Sequence, residues 1–328
     1  MITSIGDPSQ IAEARRLVAD YARRQGMPDS RAGEIALVVT ELATNLLKHG
    51  GGGEILAGRF DDRDGTGLEL LALDRGQGMA DVERCTADGY STAGSPGNGL
   101  GAIVRQSDQV SIYSRPGRGT AVMARFVLQP PRSAPETQFG AALAPYPGET
   151  VCGDHWTFGY AKSGRTLLVA DGSGHGAEAA RAAELASRVF LDHLDEPCEQ
   201  LVQRMHRALM PTRGAALAVA RIDEAARTVR YVGLGNISGA LVSDGVVRHM
   251  VSHNGTAGHV APRIREFAYD FTGNPMVLMH SDGLTSRWDL LAYPGLAAQH
   301  PSLVAGVLLR DYRRGRDDAS VVAMRALL

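Results

Sequence analysis

Glu41-Leu-Ala-Thr-Asn-Leu-Leu-Lys-His-Gly50 is a stretch in which Glu41, Asn45 and His49 recur at intervals of four residues. Residues four apart lie on one face of an α-helix, so the spacing predicts a helix with a polar stripe. Alone, such a stripe is typical of a solvated helix face. Its residue types also suit phosphate chemistry, because an Asn oxygen can bind phosphate-bound Mg²⁺ and Glu41 is placed to accept a hydroxyl proton.

Two glycine-bearing motifs follow this stretch, Asp74-Arg-Gly76-Gln-Gly78 and Gly97-Asn-Gly99-Leu-Gly101. Asp74 ends an apolar run, and its carboxylate accepts hydrogen bonds, as the exocyclic amine of adenine requires. Gly76 and Gly78 leave room for a planar base against the backbone. The second motif precedes a helical segment, and backbone amides at a glycine-rich helix start form an anion site for triphosphate. The order of the motifs therefore predicts an ATP pocket.

The segments around these motifs show two hydrophobic periods. Apolar residues recur at helical spacing after Asp7-Pro-Ser9 and again after Asp29-Ser30. Runs rich in branched residues then predict strands at 55–60, 68–73, 110–115 and 120–128. Helices ahead of a mixed sheet indicate an α/β sandwich with the helices on one face.

Carboxylates dominate the motifs of the second half, where aspartates stand at the ends or edges of predicted strands: Asp154, Asp171, Asp282 and Asp317. Asp-Gly is a common turn dipeptide, so a single such position indicates no more than a turn. Carboxylates collected from distant positions suit hard cations such as Mg²⁺ or Mn²⁺. Two such ions about 3.5–4 Å apart can activate a bridging water for attack on a phosphoester, without a covalent nucleophile.

The remaining pattern of this half predicts an antiparallel sandwich covered by helices. Strands are predicted at 166–170, 215–222, 228–233, 276–280 and 319–324, and helices at 177–194 and 198–210. Between the halves, Leu128-Gln-Pro-Pro-Arg-Ser-Ala-Pro-Glu136 is typical of a linker. We therefore predict domains at 1–128 and 138–328, joined by a linker at 129–137.

Composition and charge argue against some classes of function. The chain has 328 residues, of which 44% are hydrophobic and 21% charged, with a formal net charge of -2. A nucleic-acid partner is not expected, because no basic stripe is present. No apolar run reaches the roughly 18 residues that span a bilayer, so we expect a cytoplasmic protein without a membrane partner. The dense basic cluster of Arg310, Arg313, Arg314 and Arg316 is interpreted as a solvated helix end, with a phosphate-facing patch beside Asp317 as the alternative.

The motifs of residues 1–128 resemble the GHKL (Bergerat-type) ATPase fold, and within it the small serine kinases and anti-sigma factors of bacterial partner-switching systems. Residues 41–50 are especially similar to the stressosome switch kinase. The resemblance implies that Glu41 is a general base, that Asn45 binds Mg²⁺ with ATP, and that Asp74 holds adenine. The ATP lid then lies between Gly78 and Gly101, and the nucleotide-contacting glycines are Gly76, Gly78, Gly97, Gly99 and Gly101.

Residues 137–328 resemble the metal-dependent PPM protein phosphatases of the SpoIIE type, which implies an α-β-β-α sandwich. The resemblance also implies two bound Mn²⁺ or Mg²⁺ ions, with the Gly172 carbonyl and a set of carboxylates as ligands: Asp154, Asp171, Asp282 and Asp317. Asp318 is the less certain member of its pair, and His175 is expected to shape its loop instead of binding metal. Asn236 departs from the pattern, since these phosphatases often carry Gly-His at this place.

Together the two resemblances imply an α/β (α+β) fusion of a switch kinase with a phosphatase. ATP-dependent phosphorylation and metal-dependent dephosphorylation would act on Ser or Thr of one STAS-domain partner, an anti-sigma antagonist or a stressosome scaffold. A sigma factor or anti-sigma factor as partner, and a homodimer, are left open. We hypothesise that closure of the ATP lid favours one activity through the linker.

Two alternatives for the first half stay open. In the first, it is an anti-sigma binding module that grips a sigma factor or a STAS protein without transferring phosphate. In the second, it is a non-catalytic ATP sensor that gates the phosphatase. In both cases the second half supplies the whole activity.

Overall fold

The computed structural model describes residues 1–86, 99–131 and 137–327. The chain forms two compact units. Unit 1 comprises Met1–Pro135 and Ala298–Arg310, and unit 2 comprises Glu136–Ala297 and Asp311–Leu328. A short segment near the C-terminus thus belongs to the unit built by the N-terminal half. Most of the predicted linker, residues 132–136, lies outside the described residues.

Unit 1 begins with a strand and two long helices and continues as a sheet. Its elements are β1 (Ile2–Ile5), α1 (Pro8–Arg24), α2 (Asp29–Gly50), β2 (Gly53–Asp62), β3 (Gly65–Leu73), α3 (Val82–Thr86), α4 (Gly99–Gln106), β4 (Gln109–Ser114) and β5 (Thr120–Gln129).

Local sequence fixes the ends of the two long helices. Asp7 caps α1 by accepting a hydrogen bond of 2.8 Å from the Ser9 amide, and Oε1 of Gln10 accepts one of 3.0 Å from the Asp7 amide, which completes a capping box. At the end of α2, Gly51 adopts the left-handed conformation with φ 68°, which costs glycine no Cβ clash. The polar stripe predicted at residues 41–49 therefore lies in the last three turns of a continuous helix.

The sheet of unit 1 has the strand order β1-β2-β3-β5-β4, and all of its pairings among the described residues are antiparallel. The prediction of a mixed sheet was therefore wrong. Short turns join β2 to β3 and β4 to β5, as antiparallel pairing allows. One face packs on α1 and α2 through alternate residues of β3, namely Leu68, Leu70 and Ala72.

Unit 2 alternates strands and helices along the rest of the chain. Its elements are β6 (Thr137–Ala144), β7 (Asp154–Ala161), β8 (Gly164–Gly172), α5 (Ala177–Asp192), α6 (Cys198–Ala208), β9 (Ala215–Asp223), β10 (Thr228–Leu234), β11 (Ser238–Ser243), β12 (Val246–Met250), β13 (Ser252–His253), β14 (Phe267–Asp270), β15 (Met276–His280), the last turn of α7 (Pro301–Tyr312) and β16 (Ala319–Ala326).

Two sheets pack face to face in unit 2. One has the order β13-β10-β9-β8-β7 with β14 beside β10, and the other has the order β12-β11-β15-β16-β6. Apolar side chains from both sheets fill the space between them, including Leu167, Val277 and Val322. Helices α5 and α6 cover the outer face of the first sheet. The pairing is antiparallel as predicted, apart from a two-residue parallel contact between β10 and β13.

Helix α7 is buried on all sides from Pro301 to Arg310, and this part belongs to unit 1. Gly306 lies against Leu71 and Leu73, which point away from the face covered by α1 and α2. The predicted helices α1 and α2 lie on one face of this sheet, and α7 packs on the other face. The covering helix comes from a distant part of the chain, which local periodicity does not reveal. None of the described helices is both long and apolar enough to cross a lipid bilayer.

Candidate metal centre and nucleotide site

A strand pair of unit 2 brings the first two predicted carboxylates together. Asp154 opens β7 and Asp171 lies near the end of β8, where the two residues are direct partners in the antiparallel ladder. The Gly172 amide donates a hydrogen bond of 3.2 Å to the Gly153 carbonyl at the same end of the pair. Partners in such a ladder lie about 4.5–5.5 Å apart, so both side chains converge on one point.

A second strand pair, in the other sheet, supplies more carboxylates. The Ser281 amide donates a hydrogen bond of 3.1 Å to the Ser320 carbonyl, which continues the pairing of β15 with β16. Asp282 therefore stands opposite the start of β16, next to Asp317 and Asp318. Glycine is required at position 283, because a Cβ there would lie 2.0 Å from the Asp318 carbonyl oxygen.

The carboxylate groups of the two sheets meet at one place. A Cβ built on Gly153 would lie 2.7 Å from Oδ2 of Asp318, so Asp318 sits directly beside the residue that precedes Asp154. Asp318 is buried, and its Oδ1 accepts a hydrogen bond of 2.8 Å from the Tyr146 amide. The structure thus brings all the predicted carboxylates together and adds Asp318 to the cluster.

Burial and mutual repulsion govern the protonation of this cluster. Burial, partly opposed by the hydroxyls of Ser281 and Ser320, raises the pKa of Asp154 to about 7. Burial also raises the pKa of Asp171 well above its ordinary value, and the neighbouring carboxylates add to the rise. The pKa of Asp317 is raised as well, by burial and by Asp282. Like charges this close favour a bound cation or a bound proton.

The oxygen atoms of the cluster fit divalent metal ions. Neither carboxylate oxygen of Asp154 makes a hydrogen bond of normal geometry with the described residues, although the residue is only 3% exposed. The same is true of Oδ2 of Asp318. Buried carboxylate oxygens are costly unless a proton, a donor or a metal satisfies them. A set made only of oxygen ligands suits Mg²⁺ or Mn²⁺.

A cavity of about 680 Å³ opens beside the cluster, with Asp171, Asp282 and Asp317 in its wall. Nδ2 of Asn236, between β10 and β11, donates a hydrogen bond of 2.8 Å to Oδ2 of Asp282. The expected contribution of this side chain was open, since it departs from the Gly-His pattern. The structure shows that the side-chain amide at position 236 reaches a carboxylate of the cluster.

The basic cluster near the C-terminus divides between two environments. Arg316 lines the cavity together with Asp317, which supports the alternative interpretation of a phosphate-facing residue. Arg310 is only 5% exposed, so the interpretation of this residue as part of a solvated helix end was wrong. It points into unit 1, where backbone carbonyls satisfy its guanidinium.

His175 is held by its surroundings at the cavity wall. Its Nδ1 lies 3.0 Å from Oε1 of Glu149, and its ring stacks on Tyr146 with centroids 4.3 Å apart. These contacts fix the loop that follows Asp171. They agree with the expectation that His175 shapes this loop.

The nucleotide motifs of unit 1 also converge. Asn45 and Glu41 lie on one face of α2, as their spacing predicts, and α4 begins beside them. A Cβ built on Gly99 would lie 3.4 Å from both Oδ1 of Asn45 and Oε2 of Glu41. Nδ2 of Asn45 is buried and makes no hydrogen bond with the described residues, which is consistent with a site for a polar ligand.

Asp74 lies against the C-terminal end of α2. Its Oδ1 accepts hydrogen bonds from the amides of Gly76, at 2.8 Å, and Thr120, at 3.1 Å. A Cβ on Gly50 would lie 2.6 Å from the Asp74 Cβ, so this contact requires glycine. Burial raises the pKa of Asp74, and the two amide hydrogen bonds oppose that rise. The carboxylate is thus positioned by backbone groups at a point that faces α2.

The glycines predicted to contact nucleotide lie in different surroundings. Gly76 packs on the His49 carbonyl, Gly78 has φ 66°, and Gly101 is buried in α4. Gly97 lies outside the described residues, as does most of the predicted ATP lid, residues 87–98.

Another acidic cluster in unit 1, formed by Asp62 and Asp64 with His300 nearby, has a structural explanation. Arg125 is buried among these carboxylates, with its Nη1 3.0 Å from Asp62 and 3.2 Å from Asp64. Its Nε lies 2.7 Å from Glu69. A buried guanidinium already neutralises the charge there, so we assign this cluster to an ion pair network.

The geometry defines two classes of protein in one chain. Paired sheets that meet at a cage of carboxylates are typical of metal-dependent PPM phosphatases. A helix-backed antiparallel sheet with a Glu-and-Asn stripe beside a glycine-rich helix start is typical of GHKL ATPases.

Comparison with known proteins agrees with both assignments. Residues 6–126 match the family model of the histidine kinase-like ATPase domain, and residues 162–327 match that of stage II sporulation protein E (SpoIIE). The chain belongs to the SpoIIE family, and its N-terminal part belongs to the histidine kinase-like ATPases. It is a metal-dependent protein serine/threonine phosphatase that carries a kinase-like domain.

Two relatives with known names match different parts of the chain. The serine/threonine-protein kinase RsbT of Bacillus subtilis (strain 168) is 34% identical over 114 residues, which cover 35% of this chain and 86% of RsbT. The phosphoserine phosphatase RsbX of the same strain is 22% identical over 138 residues, 42% of this chain and 69% of RsbX.

Solved structures confirm the predicted fold classes. A chain from a structure of the bacterial stressosome is 28% identical, with a TM-score of 0.54 over 58% of this chain and 99% of that chain. The PP2C phosphatase domain of SpoIIE from Bacillus subtilis, with a fragment of its regulatory domain, has a TM-score of 0.50 and 16% identity. That match covers 97% of this chain and 95% of the other, and it concerns the fold alone.

Proposed function

We propose that the chain sets the phosphorylation level of a STAS-domain protein by opposing activities. Unit 1 transfers the γ-phosphate of ATP to a serine or threonine of the partner, and unit 2 removes it. The observation that carries the proposal is the meeting of Asp154 and Asp171 with Asp282 and Asp317 at one end of two sheets. Such a cage has few uses other than holding hard cations.

In the phosphatase site, we assign the metal ligands to the carboxylates of Asp154, Asp171, Asp282 and Asp317, with the carbonyl of Gly172. Bound Mg²⁺ or Mn²⁺ supplies an activated water and neutralises the phosphate. The residues of the chain have separate tasks: Asn236 orients Asp282 through their hydrogen bond, and Arg316 attracts the substrate phosphate into the cavity. The magnesium complex of RsbX, which shares the fold at a TM-score of 0.51, supports this choice of metal.

In the kinase site, Glu41 takes the proton of the attacking hydroxyl while the bond from the γ-phosphorus to the bridging oxygen breaks and ADP leaves. Asn45 binds the Mg²⁺ that accompanies ATP, and Asp74 accepts a hydrogen bond from the adenine amine. Gly76 and Gly78 border the base, while Gly97, Gly99 and Gly101 approach the phosphates. The convergence of Glu41 and Asn45 on Gly99 supports this arrangement.

The relatives support the choice of partner class. RsbT is named as a serine/threonine-protein kinase and RsbX as a phosphoserine phosphatase, so protein serine and threonine are the shared substrate chemistry. The likeness to a stressosome chain supports a partner-switching context. Through the resemblance of residues 41–50 to switch kinases, we assign the substrate to a STAS-domain protein.

The test is transfer of label from γ-labelled ATP to STAS-domain proteins encoded beside the gene. We compare the native chain with Asp171→Ala, Glu41→Ala, the two changes combined and the exposed control Asp192→Ala. Label is expected to accumulate on a STAS serine or threonine when Asp171 is replaced, and to disappear when Glu41 is replaced as well. If no variant transfers label while Asp171-dependent dephosphorylation of a prephosphorylated partner persists, unit 1 is an ATP sensor or binding module and the kinase assignment is wrong.

A further inference from the structure

Helix α7 connects the surroundings of the two sites through bonds made at its two ends. Up to Arg310 the helix belongs to unit 1, and from Asp311 the chain belongs to unit 2. Residues of one continuous helix therefore belong to different units. Apolar residues cover most of its circumference, so its sequence periodicity does not show which side packs on which element.

One side of α7 runs along strand β3. Ser302, Gly306 and Arg310 recur every four residues and lie on the same side of the helix. Oγ of Ser302 donates a hydrogen bond of 2.7 Å to Oε2 of Glu69. Gly306 has no side chain, and a Cβ there would lie 2.5 Å from Cδ2 of Leu71.

The last of these contacts, made by Arg310, lies at the proposed adenine site. Nη1 of Arg310 donates a hydrogen bond of 2.7 Å to the backbone carbonyl of Asp74 and a longer one of 3.4 Å to that of Thr120. Four residues of helix rise about 6 Å and two residues of strand about 6.6 Å, so the two elements stay matched over these contacts. A buried charged donor on the Asp74 carbonyl holds this backbone firmly.

The last turn of α7 is bonded to the turn that follows Asp282. The Thr285 amide donates to the Tyr312 carbonyl over 3.0 Å, and the Arg314 amide donates to the Gly283 carbonyl over 2.8 Å. The Tyr293 hydroxyl donates to Oδ2 of Asp311 over 2.9 Å. The residues that hold the Gly283 turn are thus within four positions of Arg310.

We propose that α7 couples the nucleotide site to the metal cage, with Arg310 sensing the backbone at Asp74 and the last turn of α7 moving the turn after Asp282. The inference rests on the proposed ATP site. It deepens that proposal by naming the regulation: adenine nucleotide sets the rate of dephosphorylation. The route runs through α7 and needs neither the linker at 129–137 nor the lid.

Two sites are coupled when the element that connects them has two arrangements and a ligand at the first site binds one arrangement more tightly. Binding then changes the second site as well. Nucleotide that engages the Asp74 carboxylate shifts the Asp74–Gly76 backbone, to whose carbonyl Arg310 is bonded. A rigid helix transmits that shift over its short remaining length. Asp282 and its Asn236 partner then change position relative to Asp171.

The experiment uses the full chain at one fixed Mg²⁺ concentration, with and without ADP. Calorimetry measures ADP binding, hydrogen exchange follows the amides of residues 283–293, and hydrolysis of p-nitrophenyl phosphate reports the phosphatase rate. In the native chain, ADP is expected to slow exchange in this segment and to change the rate by about fivefold or more. Arg310→Met is expected to bind ADP while both responses disappear. The exposed control Arg181→Met is expected to keep both.

The outcomes separate the coupling from the ATP site itself. If the native chain binds ADP without either response, or if Arg310→Met keeps both, the coupling is overturned and the ATP site stands. If the native chain does not bind ADP, the ATP site and the coupling fail together. Should Arg310→Met melt below the assay temperature, Arg310→Gln takes its place, because its shorter side chain loses the same hydrogen bond to the Asp74 carbonyl. A response to ADP undiminished in that variant would also overturn the coupling.

Discussion

Asp154 and Asp171 are direct partners across the β7–β8 ladder, so one strand pair places two carboxylates at a single point. Both have a raised pKa, chiefly because of burial and then because of neighbouring charge. Bringing these carboxylates together thus lowers the stability of the fold, and a bound cation offsets this cost.

Replacing Asp171 with Asn should stabilise the metal-free protein. The amide has the same shape but no charge, so repulsion from Asp154 and the cost of burial both fall. We expect the free energy of unfolding of unit 2 to rise by roughly 1–2 kcal/mol at neutral pH. Added Mn²⁺ should raise the melting temperature of the native chain and leave that of Asp171→Asn unchanged. Thermal unfolding, with exposed Asp192→Asn as control, measures both; a lower melting temperature of the metal-free variant would contradict the repulsion argument.

Metal affinity should depend on pH in a defined direction. In the metal-free protein the raised pKa of Asp154, about 7, means that the cage carries protons near neutrality. Metal displaces those protons, so its affinity is weak below that pKa and increases as pH rises from 6 to 8. The increase should approach about tenfold per pH unit where one proton is displaced. Calorimetry in buffers of different ionisation enthalpy gives the proton count, and equal affinities at pH 6 and pH 8 would refute this expectation.

Asn236 should matter for metal binding although it is not assigned as a ligand. It donates a 2.8 Å hydrogen bond to Asp282, and groups that orient metal ligands typically contribute about 10–100-fold in affinity or activity. We expect Asn236→Ala to weaken Mn²⁺ binding by about tenfold. Asn254→Ala, in the wall of the same cavity, controls for loss of polarity. Equal Mn²⁺ affinities of the two variants would show that the hydrogen bond to Asp282 has no special part.

Gly50 should be essential for the nucleotide site and Gly33 should not. Both lie in α2, but a Cβ at position 50 would lie 2.6 Å from the Asp74 Cβ, whereas nothing lies within 4 Å of one at position 33. Gly50→Ala should displace Asp74 and lower ATP affinity by about tenfold, which corresponds to 1.4 kcal/mol. Gly33→Ala should leave binding intact and stabilise the helix by up to about 1 kcal/mol. ATP titration of both variants checks this, and unchanged affinity in Gly50→Ala would disprove the role of the contact.

Local sequence patterns predicted those parts of the molecule in which function depends on spacing within one element. Glu41 and Asn45 share a face of α2 because they are one turn apart. Asp171 follows an apolar run whose strand identity is plain from its composition. These features could be predicted because neighbouring residues determine them.

Features that depend on distant contacts could not be predicted in this way. The role of Asn236 depends on a turn between β10 and β11 that meets the end of β15. The burial of Arg310 depends on α7 packing against β3, more than 200 residues earlier in the chain, as its bond to Asp74 shows. Composition near Arg310 favours a solvated helix end, and only tertiary packing reverses that preference.

The activity proposed for this chain is a cycle that adds and removes the same phosphate. Its most direct test is the steady release of inorganic phosphate from ATP in the presence of the STAS partner, because a cycle of transfer and removal consumes ATP only when both sites work. The native chain should release phosphate continuously and in proportion to partner. Asp171→Asn should form one ADP per partner and release no inorganic phosphate, and Glu41→Ala should form neither. Partner-dependent release that persists in Glu41→Ala, or its absence from the native chain, would contradict the claim.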